Sequence, residues 1–380
     1  MRNKIKVAFL INSLRFGGVE KGTVTRFNGL SNNTYEKGLV YLKSEKHLIP
    51  QIKKESGTVW CPGFKKGLDL SGLWNLSSWL KKFQPNVILC VNTYPLFFGY
   101  LARLLTGSKA KLFVSFHSTE LSEKDDRMMR YIYRFLFNRS DGIIYVSTTQ
   151  SAYWESRGLR GDLTTIIHNG VDTEYYVNKY DDTKVSASRK SYKFDTNDFV
   201  IGICAALRPE KHHEDLINAI SILKTKGVSA KCVVIGDGPR RTFIEEYITA
   251  SGLGKDVVIT GFQDDVRPLI ALCDCMAIVS HQVETFSNAA LESMAMGKPI
   301  VMSAIGGAAE QVQNGENGYL YPVGDVNALA ESLYKLMDSG HRIKLGKRAR
   351  EVVERDFGLE VMLEKYSSLF SASCVGGSCD

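Results

Sequence analysis

Short apolar runs recur along this chain, and most are separated by a stretch long enough for a helix. In the first half the runs are Lys6–Ile11, Gly38–Tyr41, Val87–Val91, Lys111–Phe116, Gly142–Val146 and Leu163–Ile167, with helical segments at 20–30, 70–83, 97–104 and 127–138. Antiparallel neighbours need only a tight turn, whereas helix-length connections belong to parallel strands. A polar segment, 177–197, then breaks the rhythm. Beyond it the alternation resumes with runs at Phe199–Ala205, Ala230–Ile235, Val257–Thr260, Met276–Val279 and Pro299–Ser303. The pattern predicts an α/β chain of two Rossmann-like parallel-sheet halves.

The expected division is 1–176 for the first domain, 177–197 for a linker and 198–356 for the second domain. A closing helix over 357–372 and a disordered Gly/Ser tail over 373–380 complete it. The chain of 380 residues is 44% hydrophobic, which suits two folded domains and excludes a disordered chain. Charge is unevenly spread. Residues 1–175 hold 25 Lys and Arg against 14 Asp and Glu, which leaves 23 against 27 of the totals of 48 and 41 for the rest. A basic first half suits an anionic membrane or an acidic partner, or is simply a solvated surface. The longest apolar run, Val87 to Leu105, is broken by Asn92, Thr93, Pro95 and Arg103, so it reads as strand, turn and helix. With no signal peptide or spanning segment in evidence, the expected location is cytoplasmic. Cys90, Cys204 and Cys232 fit core positions, and Cys273 and Cys275 lack a second pair at metal-site spacing.

Ligands of open parallel sheets bind beyond the carboxyl ends of the strands. The polar and glycine-rich clusters fall there. From Ser280 to Pro299 the chain reads SHQVETFSNAALESMAMGKP. Ser287 or Asn288 can cap a helix that Gly297-Lys298-Pro299 ends. Its free amides and positive dipole end form a seat for phosphate. Glu284 precedes that seat and Glu292 lies inside the helix. Ionised carboxylates suit vicinal hydroxyls, because each oxygen accepts several hydrogen bonds. Arg208 and Lys211 add two cations at a strand end, which can neutralise a developing diphosphate charge. No D-x-D triplet occurs to hold a metal ion. Gly17-Gly18 follows the first strand without the dinucleotide pattern. His117 follows the strand KLFVSF, where a structural and a functional histidine are equally consistent. His212 and His213 fit helix-start positions.

Together these loops resemble glycosyltransferase family 4, retaining enzymes of GT-B fold. The resemblance rests on Gly17-Gly18, VSFHS around His117, IIHNGVDTEYY, LRPEKHHEDLI, VVIGDGPR, GFQDDV, the E-x7-E of Glu284 and Glu292, and the GG-AAE segment leading to NGYL. It implies two domains facing a central cleft. By it, Glu284 holds the donor sugar and Glu292 the ribose. The amides at Ser287, Asn288, Ala289 and Ala290, with Arg208 and Lys211, hold the diphosphate, and Phe286 is a further donor-binding residue. Gly17 and Gly18 approach the same phosphates, Gly261 and Phe262 border the base, and His117 lies at the sugar's reactive face. The family's usual arginine position is Ala206 here, and its usual proline before Glu310 is Ala309.

The resemblance implies a retaining, metal-independent transferase using a UDP- or GDP-sugar. The acceptor would be a saccharide or lipid-linked glycan in cell-surface polysaccharide or glycolipid synthesis. No cofactor and no nucleic acid are expected, and peripheral contact with an anionic membrane is. A nucleotide-sugar epimerase of the same fold and a non-catalytic sugar-nucleotide-binding subunit are the alternatives.

Overall fold

In a computed structural model, residues 4–65, 69–119, 123–282 and 284–375 are described. The chain divides into two units, Met1–Asn169 with Leu359–Asp380, and Gly170–Gly358.

The first unit holds strands β1 (Ile5–Ile11), β2 (Tyr35–Tyr41), β3 (Thr58–Trp60), β4 (Val87–Val91), β5 (Lys111–Phe116), β6 (Gly142–Tyr145) and β7 (Thr164–Ile166). All are paired in parallel, in the order β3-β2-β1-β4-β5-β6-β7. Both faces are covered. Val7, Phe9 and Ile11 of β1 enter one core and Ala8 and Leu10 the other, as a period of two requires. Leu73, Leu76 and Leu80, at helical spacing on the Leu70–Phe83 helix, cover the second face. The first face is closed by Met362, Leu363, Tyr366 and Phe370 of the Leu359–Val375 helix. The sequence gives no run for β3, because three residues at a sheet edge need none.

The second unit holds β8 (Phe199–Cys204), β9 (Ala230–Ile235), β10 (Val257–Gly261), β11 (Cys275–Ile278), β12 (Ile300–Ser303) and β13 (Gly318–Tyr321). They run parallel in the order β10-β9-β8-β11-β12-β13. In each sheet the order reverses beside the first strand of the unit, between β1 and β4 and between β8 and β11. That reversal parts the connecting loops and opens a crevice at the carboxyl ends. The helices Val326–Lys335 and Ser339–Asp356, absent from the predicted elements, also belong to this unit.

Three expected assignments need correction. The polar segment 177–197 is not a linker. Asp181 caps a helix, Asp182–Ser191, by accepting from the Lys184 amide at 2.8 Å. Arg189 of that helix pairs with Asp274 at 2.9 Å and donates to the Leu272 carbonyl at 2.9 Å. Those bonds fasten it to the second unit. The chain changes unit between Asn169 and Gly170, so 170–176 also belongs there. The expected disordered tail is helical through Val375, and Cys374 packs against the first unit's core. Cys379 lies outside the described residues. No disulfide joins the described cysteines to one another.

Lys37 brings a charge inside the first unit. Lys37 is buried on β2, and its Nζ donates to the carbonyls of Phe27, at 2.7 Å, and of Leu30, at the end of the Gly18–Gly29 helix. Burial pushes its ammonium down to about 8. The unfolded chain keeps that proton up to the ordinary lysine value of about 10.4. Between the two values the unfolded state binds more protons, so stability rises with pH. In urea melts, the stability of the wild type relative to Lys37→Met is expected to stay level below about pH 8 and climb toward about pH 10.4. A difference that stays level or falls across that window contradicts the burial penalty.

Candidate functional site

The polar groups of the second unit gather at the strand-order reversal. Beyond β8 the chain makes a single turn of tight helix, Pro209–Lys211, begun by a proline whose fixed φ suits that position. Lys211 closes the turn and reaches toward the loop after β11. Its Nζ pairs with Glu284 Oε2 at 2.6 Å and donates to Ser280 Oγ at 3.3 Å. Ser280 Oγ donates to the same carboxylate oxygen at 2.8 Å. The Ser280 carbonyl in turn accepts from Ser303 Oγ, at the end of β12, at 2.7 Å. Glu284 is 9% exposed, so its charge is matched inside the protein rather than by water. Arg208 is separate and half-exposed, 3.9 Å from Glu210.

Glycine sets the approach of the next loop. Gly306 has φ +57°, and a Cβ there would lie 2.1 Å from the Glu284 carbonyl oxygen. The Gly307 amide donates to the carbonyls of Glu284 and Thr285, at 3.3 and 3.1 Å. Only a residue without a side chain lets the two loops close on each other in this way.

The helix expected after Phe286 spans Asn288–Ala295, with Ser287 as its cap. Ser287 Oγ accepts from the Ala290 amide at 3.3 Å. The Ser287 amide donates to Gln311 Oε1 at 3.0 Å, and Gln311 Nε2 donates back to the Ser287 carbonyl at 2.9 Å. Two of the four amides expected to face phosphate, those of Ser287 and Ala290, are thus committed within the protein. Asn288 and Ala289 open the same first turn. Phe286 is also a packing residue, its buried ring edge-on to Phe357 at 5.3 Å. Glu292 is 9% exposed inside the helix and takes a hydrogen bond from the Tyr176 hydroxyl. Burial and that neighbouring carboxylate push the Tyr176 phenol far above its ordinary value. Arg350 ends the helix, donating to the Ala295 carbonyl at 2.5 Å. Gly261 ends β10 at φ +73°, and Phe262 beside it is exposed.

Gly17, Gly18 and His117 belong to the first unit, at the carboxyl ends of β1 and β5. Gly17 is extended, with φ −174°, a conformation any residue adopts. Lack of bulk, not backbone freedom, is what it offers. His117 Nε2 bonds Ser115 Oγ at 2.9 Å, and its amide donates to Asn92 Oδ1 at 3.0 Å. Ser115 Oγ also meets the Tyr366 hydroxyl at 3.3 Å. Burial, reinforced by the charge of Arg26, holds the imidazole well below its ordinary pKa, so it stays neutral.

The structure therefore joins Lys211 and Glu284 directly, and places Glu292 on the helix that follows. It does not join Arg208 to them. Tyr176, Ser280, Gln311 and Arg350 are structural partners that the sequence does not single out. A polar residue at the end of an apolar run, as at Ser280, is the one signal that points to any of them. For the buried pair, Lys211→Met is expected to cost roughly 2–3 kcal/mol, allowing for partial exposure of the lysine. The double variant with Glu284→Met is expected to lose less than the two single losses summed, by about 1 kcal/mol or more. Urea denaturation of the four proteins measures this, and simple additivity contradicts the coupling.

Two family profiles match the chain: Glycosyltransferase Family 4 over residues 16–175 and Glycosyl transferases group 1 over residues 184–352. The N-acetyl-alpha-D-glucosaminyl L-malate synthase of Bacillus anthracis is 30% identical over 278 residues, covering 72% of this chain and 70% of that protein. The putative colanic acid biosynthesis glycosyltransferase WcaL of Escherichia coli is 27% identical, over 70% of this chain and 65% of its own length. Among solved structures, Anabaena HepE in complex with UDP aligns with a TM-score of 0.83 at 23% identity, covering 97% of this chain and 100% of that one. A glycosyltransferase from Rickettsia africae aligns with a TM-score of 0.84 at 21% identity, over 99% and 100%.

Proposed function

Because this chain belongs to the family 4, group 1 glycosyltransferases, we propose that it carries a sugar from a UDP- or GDP-sugar to an acceptor hydroxyl, with retention at the anomeric carbon and without a metal ion. The observation that carries the reading is the Lys211–Glu284 pair beside a capped helix start. A diphosphate competes with the Glu284 carboxylate for Lys211. As the donor enters, the ammonium passes to phosphate and the carboxylate turns to the sugar hydroxyls. Each group exchanges one polar partner for another, so neither is left without a hydrogen-bonding partner at the moment of reaction. The first turn at Asn288 and Ala289 adds the positive end of the helix dipole. Glu292 takes the ribose hydroxyls, exchanging its bond from Tyr176, and Phe262 borders the base. The solved HepE complexes with UDP and UDP-glucose support this class of donor.

For the acceptor, a saccharide or lipid-linked glycan fits the names of the capsular and colanic acid relatives. A second reading, a small anionic hydroxy acid, is favoured by the L-malate synthase of B. anthracis and by the basic first half. Thermal shift with a panel of nucleotide sugars identifies the donor, since a ligand at a hundred times its dissociation constant adds about 2.7 kcal/mol. Transfer assays with that donor then separate the two acceptors. Glu284→Gln is expected to lower kcat by about 100-fold or more while the protein stays folded. Transfer is expected to survive chelation, and the product to keep the donor's anomeric configuration. Full activity of Glu284→Gln, loss on chelation, or an inverted product each rejects its part of the assignment.

Among the described residues, no helix is long and apolar enough to cross a membrane. Tyr131, Ile132 and Phe135 are exposed on the first unit, on a stretch that also carries Arg134 and Arg139. Apolar rings among cations suit the surface of an anionic bilayer. Co-sedimentation with vesicles rich in phosphatidylserine is expected to fall steeply as salt rises from about 50 to 200 mM. Absence of binding, or binding indifferent to salt, contradicts membrane docking.

A further inference from the structure

The sequence marks His212 only as a helix-start residue, yet the fold stacks it on a second histidine. His212 follows Lys211 and His281 follows Ser280, so the two rings come from the two segments that hold the buried pair. Their centroids are 3.5 Å apart and the ring planes differ by 2°. Asp215, from the first turn of the His213–Thr225 helix, faces both rings. Its Oδ2 is 2.6 Å from His281 Nε2, and its Oδ1 is 3.7 Å from His212 Nδ1. One donor atom from each residue lies within 4.8 Å of the others. His212 is held at φ +43°, a left-handed conformation that glycine takes freely and a histidine rarely does. The chain thus keeps an imidazole where its backbone favours glycine. The carboxylate is nearly buried, while the His212 side chain is 39% exposed, so the cluster opens to solvent on one side.

The geometry points to a binding site for a divalent transition-metal ion at His212, Asp215 and His281. Two imidazole nitrogens and one carboxylate suit Zn²⁺ and its neighbours, with remaining positions left to water. They do not suit Mg²⁺, which takes oxygen ligands. Bonds of about 2.0–2.2 Å require the Asp215 oxygen and the His281 nitrogen, now 2.6 Å apart, to separate, and the stacked rings to tilt until both nitrogens face one point. The ion ties the segment after β8 to the loop after β11, where the His281 amide already donates to the Glu210 carbonyl at 3.0 Å. Its role is to fix the two loops. The transfer proposed above needs no ion, so either idea can fail without the other.

The test is calorimetric titration of the chelator-stripped full chain with Zn²⁺, paired with the absorption spectrum of the Co²⁺ form. One ion per chain is expected, with a Co²⁺ spectrum free of a thiolate charge-transfer band. His212→Gly removes a ligand and suits the backbone, so this variant is expected to melt no lower than the wild type without metal. It and His281→Ala are each expected to weaken binding by about tenfold or more. The same titration with Mg²⁺ is expected to show no heat of binding at this site. The site is rejected by no saturable Zn²⁺ binding, by unchanged affinity in His212→Gly, or by a thiolate band placing the ion on cysteine.

Discussion

Lys211 and Glu284 meet because β8 and β11 are neighbours in the sheet though more than seventy residues apart in the chain. Two charges of opposite sign, taken largely out of water, must stay within reach of each other or destabilise the fold. That requirement shapes what surrounds them. Ser280 satisfies a further bond of the carboxylate, Ser303 holds the Ser280 carbonyl, and Gly306 yields the space in which the Glu284 backbone sits. The result is a polar cluster whose opposite charges are paired by folding. A protein with this arrangement does not have to assemble its charges around a ligand, because they are assembled by folding.

Much of the architecture is legible because strands covered on both faces read as continuous apolar runs. Residues such as Val87–Val91 leave little choice. The elements that escape detection are those whose apolar content is thin or whose stability is contextual. The edge strand β3 is three residues long, and β13 carries tyrosines and a glycine. The Asp182–Ser191 helix reads as a linker because it buries none of its residues. What holds it is Arg189, whose partners Asp274 and the Leu272 carbonyl lie far along the sequence. Polarity alone does not distinguish a solvated tether from a helix pinned by one ion pair.

The same division applies to the site. Lys211 and Glu284 are visible as charged residues in loops that follow strands and Glu292 as an acid inside the next helix, and the structure gives each a defined environment. Their local partners are not visible. Nothing in the sequence indicates that Gln311 will occupy the Ser287 amide, or that Tyr176 will reach Glu292, since both contacts depend on loops closing over long separations. Amides assigned to a ligand by counting along a helix start are therefore overcounted when a side chain from elsewhere arrives first. In the first unit, burial lowers the pKa of His117 most, and the cation of Arg26, distant in sequence, adds to it. The cation of Arg26 lies over the Tyr366 ring at 5.4 Å, and Tyr366 comes from the last helix of the chain.

That last helix has a consequence for biosynthesis. One face of the first sheet is finished by Met362, Leu363, Tyr366 and Phe370, residues made after the whole second unit has been synthesised. The amino-terminal half thus emerges from the ribosome with part of its interior still open. The intervening half has all its strands before the final helix appears. Order of synthesis and order of completion are reversed: the unit begun first is the one sealed last.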